Sequence, residues 1–169
     1  MNRVGMLLLG NELTVRGDML KIGQSAPDFA LTAKNWRTKS LADYAGKVKI
    51  ISVVPSLDTE VCSTQTRRFN QEASSLSDQV VVLTVSADLP YAQARWCAAE
   101  GIDRVETLSD HKTMAFAEAY GVNVVDLRIM QRAVFVLDPY NVVRHAEYVR
   151  NIDDQPDYSA VLNIVKALA

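Results

Sequence analysis

Residues 48–69 read VKIISVVPSLDTEVCSTQTRRF, and the way this stretch folds decides the reading of the rest of the chain. Lys49 to Val54 forms an apolar, largely β-branched run that suits a buried strand. Pro55 ends it, because proline has no N–H to give to a ladder. After the turn, Asp58 or Thr59 is placed to cap a helix whose inward face takes Val61, Phe69, Ala73 and Leu76 at mixed three- and four-residue steps. Cys62 then falls in the first helical turn. There, unpaired backbone N–H groups and the positive end of the helix dipole favour thiolate over thiol.

Outward from this junction, strands and helices alternate. On the N-terminal side, residues 4–16 (VGMLLLGNELTVR) hold two apolar segments broken by Gly10-Asn11, which predicts a short β-hairpin. Gly17 to Pro27 reads as a surface connection into a short strand from Phe29 to Thr32. Ser40 is placed to cap a brief helical turn through Leu41 and Tyr44, and Gly46 stops it. On the C-terminal side, Val80 to Val85 is a second apolar strand whose valines fit burial on both faces, as in a parallel sheet. Pro90 permits a helix start, strong helix formers run from Tyr91 to Glu100, and Gly101 ends them. Val105 to Leu108 is a brief strand, and Asp110 is placed to cap a helix from Lys112 to Tyr120. Ala133 to Leu137 and Val142 to Tyr148 flank Asp138-Pro139-Tyr140-Asn141 and predict a second hairpin. Pro156 suits a first helical position ahead of the stripe Tyr158, Val161, Leu162, Val165 and Leu168.

With 169 residues, 49% hydrophobic and 22% charged, the chain fits one domain (1–169) with a substantial core. Its 18 basic and 20 acidic residues form no long block of one sign, so nucleic acid is not an expected partner. Met6 to Leu9 is far shorter than the ~20 residues of a membrane span, so the expectation is a cytoplasmic protein with no membrane partner. Two cysteines, Cys62 and Cys97, are too few for a disulfide framework and leave inert packing or redox chemistry as their roles. His111 and His145 lie far apart with no close ligand cluster, so neither metal nor cofactor is expected.

Pro55, Thr59 and Cys62 stand as P-x-x-x-T-x-x-C within PSLDTEVC. This resembles the peroxiredoxin signature, and the Asp-Thr-x-Val-Cys wording is similar to the thiol peroxidase subfamily. SADLPYAQARWCAAEG around Cys97, QRAVFVLD around Arg132, and GQSAPDFAL after the hairpin extend the likeness over essentially the whole chain. The resemblance implies an α/β, thioredoxin-like fold: a central mixed sheet flanked by helices, with the hairpin of about residues 4–16 added at the N-terminus.

The same resemblance implies reduction of hydrogen peroxide and organic hydroperoxides. Cys62 would be the peroxidatic nucleophile and Cys97 its resolving thiol in the same subunit, with thioredoxin as reductant and a homodimer as the assembly. The residue types suit those roles. Arg132 offers a fixed fork of N–H donors, the Thr59 hydroxyl both accepts and donates, and Pro55 limits water at the sulfur. Taken singly, each has a structural reading: Thr59 as a helix cap, Arg132 as a residue entering a strand, Cys97 packed with Trp96 on an amphipathic helix. Asp58 is read as structural, since a carboxylate beside Cys62 opposes thiolate formation. Two other functions remain open on sequence: a thiol–disulfide oxidoreductase without peroxidase activity, disfavoured by the lack of C-x-x-C, and a non-catalytic dimeric binding domain.

Overall fold

The computed structural model describes residues 1–169. The chain opens with the hairpin β1 (Asn2–Leu8) and β2 (Asn11–Arg16), followed by β3 (Leu31–Ala33), β4 (Thr38–Lys39) and a 3₁₀ turn (Leu41–Tyr44). The central alternation is β5 (Val48–Val53), α1 (Glu60–Ala73), β6 (Val80–Ser86), α2 (Pro90–Glu100) and β7 (Glu106–Ser109). The remainder is α3 (Ala115–Ala119), β8 (Asn123–Val124), β9 (Ile129–Met130), β10 (Ala133–Leu137), β11 (Val143–Tyr148) and α4 (Tyr158–Leu168).

Seven strands form one sheet in the order β11-β10-β5-β6-β7-β3-β4. β5, β6 and β7 are parallel, while β10 runs antiparallel to β5 and β3 antiparallel to β7. Every residue of β5 is buried, because alternate side chains enter different cores on the two faces. Ile51, Val53, Leu83, Val85, Phe135 and Leu137 feed a core of 21 residues. Val48, Ile50, Val82, Val134 and Val136 feed one of 11, closed over by Phe69 of α1, Cys97 of α2, and Val161 and Val165 of α4. Lys49 is the exception in the apolar run: it is fully buried, and its Nζ donates to Asn141 Oδ1 at 2.6 Å. Burial pushes the Lys49 ammonium below its ordinary range, opposed by the charge of Asp138. No helix is long and apolar enough to cross a membrane.

Several local expectations shift. The first hairpin turns at Leu9-Gly10 rather than Gly10-Asn11: Leu8 pairs with Asn11, and φ is +51° at Leu9 and +79° at Gly10. Two positive φ values in a two-residue loop match the right-handed twist of the strands. β3 begins at Leu31 rather than Phe29, whose N–H is taken by the Asp28 carboxylate at 2.8 Å. The helix expected over 112–120 is confined to Ala115–Ala119, because Met114 turns left-handed at φ +57° and interrupts it. α4 is capped by Asp157, whose side chain accepts from Ala160 N–H at 3.0 Å, so Pro156 precedes the helix instead of opening it. In α1 the fully inward residues are Cys62, Gln65, Thr66 and Phe69. Val61 is only half-buried, and Leu76 lies beyond the helix end.

The segment ahead of Arg132 supplies β8 and β9, which join the N-terminal hairpin in a second sheet ordered β1-β2-β8-β9. The free side of β1 also grips the segment after β11. Leu7 N–H donates to Arg150 O at 2.8 Å, and Ile152 N–H donates to Leu7 O at 3.1 Å. The hairpin thereby fixes residues 150–152, which reach the site described next.

Candidate active site

β5 ends beside β6, with Val54 N–H donating to Val85 O at 3.0 Å, and the buried Pro55 then breaks the ladder. Thr59 is the N-cap residue of α1, with extended backbone at φ −100° and ψ 148°, yet its hydroxyl makes no cap bond. It donates instead to Ser56 O at 3.1 Å. Asp58 does not cap either; it is exposed, and its N–H donates to Ser56 Oγ at 3.2 Å.

Cys62 lies in the first turn of α1, as expected, and is fully buried among Val54, Leu57 and the edge of Trp96. Apolar groups surround the sulfur on those sides only. On the other, Arg132 donates from Nη2 to Cys62 Sγ at 3.3 Å. Arg132 enters from the residue before β10 and is itself only 1% exposed. Its Nη1 donates to Gln65 Oε1 at 2.8 Å and its Nη2 also donates to Ile152 O at 2.8 Å, while its buried Nε has no protein acceptor. Gln65 is in turn fixed by its Nε2, which donates to Ser52 Oγ of β5 at 2.7 Å.

No carboxylate lies within ion-pair distance of Arg132, so a cation removed from water faces one amide, one carbonyl and one sulfur. Such a cation is held by hydrogen bonds rather than by an ion pair.

Cys97 lies apart from this site. It is 3% exposed, belongs to the core that holds Phe69, Ile102 and Val105, and directs its thiol to Thr107 Oγ1 at 3.9 Å. Burial pushes the Cys97 thiol up from its ordinary value, with the Thr107 hydrogen bond and the Lys34 charge opposing. Both cysteines are free. Trp96 connects the two environments: it packs against both clusters, and its Nε1 donates to Ser63 Oγ at 3.2 Å. A cavity of about 300 Å³ lies between Asp58 and the Ala92, Arg95, Trp96 and Ala99 face of α2.

Of the residues singled out in the sequence, Cys62 and Arg132 are therefore in contact, and Pro55 and Thr59 lie on the loop leading into the same helix. Cys97 is in a different core. Sequence reasoning passes over Gln65, Ser52 and the Ile152 carbonyl. Gln65 is signalled by its spacing, one helical turn after Cys62 on the same face. A backbone carbonyl from a distant loop leaves no sequence signal.

A sulfur and a guanidinium at the mouth of a helix that follows an interior strand of a mixed sheet define a thioredoxin-like thiol redox protein, and residues 21–162 match the Redoxin family model. The chain is 55% identical to a thiol peroxidase of Oceanobacillus iheyensis over 89% of its length and 92% of the relative's. It is 54% identical to a thiol peroxidase of Bacillus subtilis, covering 94% of this chain and 95% of that one. Among solved structures, a peroxiredoxin-like protein from Aquifex aeolicus superposes with a TM-score of 0.91 at 35% identity over 99% of both chains. The chain belongs to the thiol peroxidase family of the peroxiredoxins and is a peroxidase-class oxidoreductase.

Proposed function

We propose that the chain reduces hydrogen peroxide and organic hydroperoxides through Cys62, with Cys97 closing the cycle and thioredoxin supplying electrons. The observation that carries this reading is Arg132 Nη2 at 3.3 Å from Cys62 Sγ, both groups withdrawn from water.

The Cys62 thiolate attacks one peroxide oxygen, forming an S–O bond as the O–O bond breaks. The sulfur gives up two electrons and becomes sulfenic acid. The departing oxygen takes a proton and leaves as water or an alcohol. Charge grows on that oxygen during the step, and the Nε–H of Arg132, buried without a protein acceptor, is the donor left over to meet it. The Thr59 hydroxyl turns from Ser56 O to the peroxide, and Pro55 keeps water from the sulfur.

Cys97 then attacks the Cys62 sulfenic sulfur, an S–S bond forms, and hydroxide leaves as water once protonated. A thioredoxin dithiol returns two electrons and two protons and restores both thiols. Because burial holds Cys97 in the thiol form, it must be exposed before it can act. The remaining parts of the reading are a single domain over residues 1–169, a homodimer, and a cytoplasmic location.

A peroxide-consumption assay with thioredoxin and its reductase tests the scheme. Cys62→Ser consumes no peroxide, whereas Cys97→Ser loses turnover yet still permits one oxidation of Cys62. Sustained consumption by Cys62→Ser refutes the assignment.

A further inference from the structure

The chemistry above leaves unused a carboxylate that is anchored to the loop ahead of Cys62. Asp88 lies in the short loop between β6 and α2 and has no ion-pair partner. Its Oδ1 accepts from Ser56 Oγ at 2.9 Å. Its Oδ2 accepts from Leu57 N–H at 2.9 Å and from Ser86 Oγ at 2.7 Å. Ser56 is the hub of the loop ahead of Cys62: its carbonyl accepts from both the N–H and the hydroxyl of Thr59, and its Oγ accepts from Asp58 N–H. On the other side, Ser86 Oγ accepts from Nε2 of Gln93, a buried residue of α2, at 3.0 Å. One carboxylate thus ties the loop that opens the Cys62 helix to the loop that opens the Cys97 helix.

We propose that Asp88 is a positioning residue that holds the Pro55–Thr59 loop in its peroxide-reacting form and so sets how readily Cys62 leaves that form to meet Cys97. This rests on the roles of Cys62 and Cys97 given above. The two half-reactions ask opposite things of the loop. Attack on peroxide needs the loop of Ser56 and Thr59 held in place ahead of Cys62, whereas disulfide formation needs the first turn of α1 released. Hydrogen bonds to a carboxylate are about twice as strong as neutral ones, so Asp88 weights the balance toward the closed form. Asp88→Asn keeps the size of the side chain but replaces an accepting oxygen with an amide donor facing Leu57 N–H and Ser86 Oγ, or Ser56 Oγ.

The experiment measures the half-reactions separately, each corrected for the folded fraction by circular dichroism. In a Cys97→Ser background, Cys62 oxidation by hydrogen peroxide is followed by trapping the sulfenic acid with a 1,3-dione and mass spectrometry. Asp88→Asn slows this step about tenfold. In the two-cysteine protein, disulfide formation after a stoichiometric peroxide pulse is as fast or faster in Asp88→Asn, and over-oxidation in excess peroxide falls. Ser56→Ala, which removes one of the three bonds, moves both readouts the same way by less, and it carries the test if Asp88→Asn does not fold. Slowing of both steps together, or of neither, overturns the proposal. Failure of the underlying reading shows before Asp88 is touched, as a parent Cys97→Ser with no trappable sulfenic acid or a parent two-cysteine protein that forms no internal disulfide.

Discussion

Replacing Arg132 by lysine keeps a positive charge beside Cys62 and removes the fork. The guanidinium makes three hydrogen bonds, to Gln65 Oε1 (2.8 Å), Ile152 O (2.8 Å) and Cys62 Sγ (3.3 Å), on two nitrogens whose spacing is fixed by the plane of the group. An ammonium is a single point and cannot reproduce that spacing. If it stays on the sulfur, a buried acceptor loses its donor at about 1–3 kcal/mol of stability. If it moves to the acceptors, the sulfur loses its counter-charge. The transition state loses a charged hydrogen bond of about 1.5–3 kcal/mol in either case, so kcat/KM for hydrogen peroxide falls about 10- to 150-fold. Stopped-flow measurement of Cys62 oxidation against peroxide concentration gives the rate, and thermal unfolding gives the stability. A rate for Arg132→Lys within about threefold of the parent, in a folded protein, refutes the claim that the fork geometry matters.

Two further outcomes follow from the position of the cysteines. Burial raises the pKa of Cys97, so proton loss from Cys97 favours the opened form, in which the exposed thiol titrates near its ordinary ~8.5, over the closed one. Opening is therefore favoured as pH rises, and the disulfide-forming step accelerates from pH 6 toward 9; a rate flat across that range in single-turnover measurements refutes it. Oxidation to the Cys62–Cys97 disulfide also lowers hydrogen-exchange protection over residues 59–69 and 91–100, and identical protection in the reduced and oxidised forms counts against the required loosening.

The strand-turn-helix that begins in 48–69 was legible because three signals agree there: a β-branched run, a proline where the ladder stops, and an apolar helical period through Val61, Phe69, Ala73 and Leu76. Where signals competed, tertiary contacts decided. Val61 satisfies the helical period but is half-buried, since the inward place at the start of α1 is taken by polar Gln65 and Thr66 around the Arg132 site. Lys49 falls within the run read as a buried apolar strand, and its burial is tolerated because Asn141, from the β10–β11 turn, accepts from its Nζ and the Asp138 charge lies near. The extension of the predicted N-terminal hairpin into a four-stranded sheet was invisible because β8 and β9 have two residues each, too short for any period to register. The contact between Cys62 and Arg132 was open to inference from residue chemistry and family likeness. Its supports, a side-chain amide and a backbone carbonyl, become readable only when distant segments are brought together.

The proposed disulfide sets a limit on how the two helices are held. Cα atoms bridged by a disulfide lie within about 7 Å, yet the thiols occupy different cores, so segments of α1 and α2 must separate from their present neighbours. Apart from the Asp88 tie between their leading loops and the core they share, α1 meets the α2 side through the Trp96 Nε1 bond to Ser63 Oγ, the exposed Arg67–Glu100 pair, and Arg104 N–H donating to Asn70 Oδ1. Exposed pairs of this kind contribute at most about 1 kcal/mol each. Further along α1, Phe69 is fully buried and stacks edge-on against Tyr158 with ring centroids 5.3 Å apart, which anchors the helix by about 1.5–3 kcal/mol of burial alone. Opening between Thr59 and Phe69, the stretch that carries the sulfur, therefore has to break the Gln65 bonds to Arg132 and Ser52 in addition to this seam. The firm anchor confines the motion to the part of the helix that has to move, while Arg132 stays braced by the hairpin through residues 150–152.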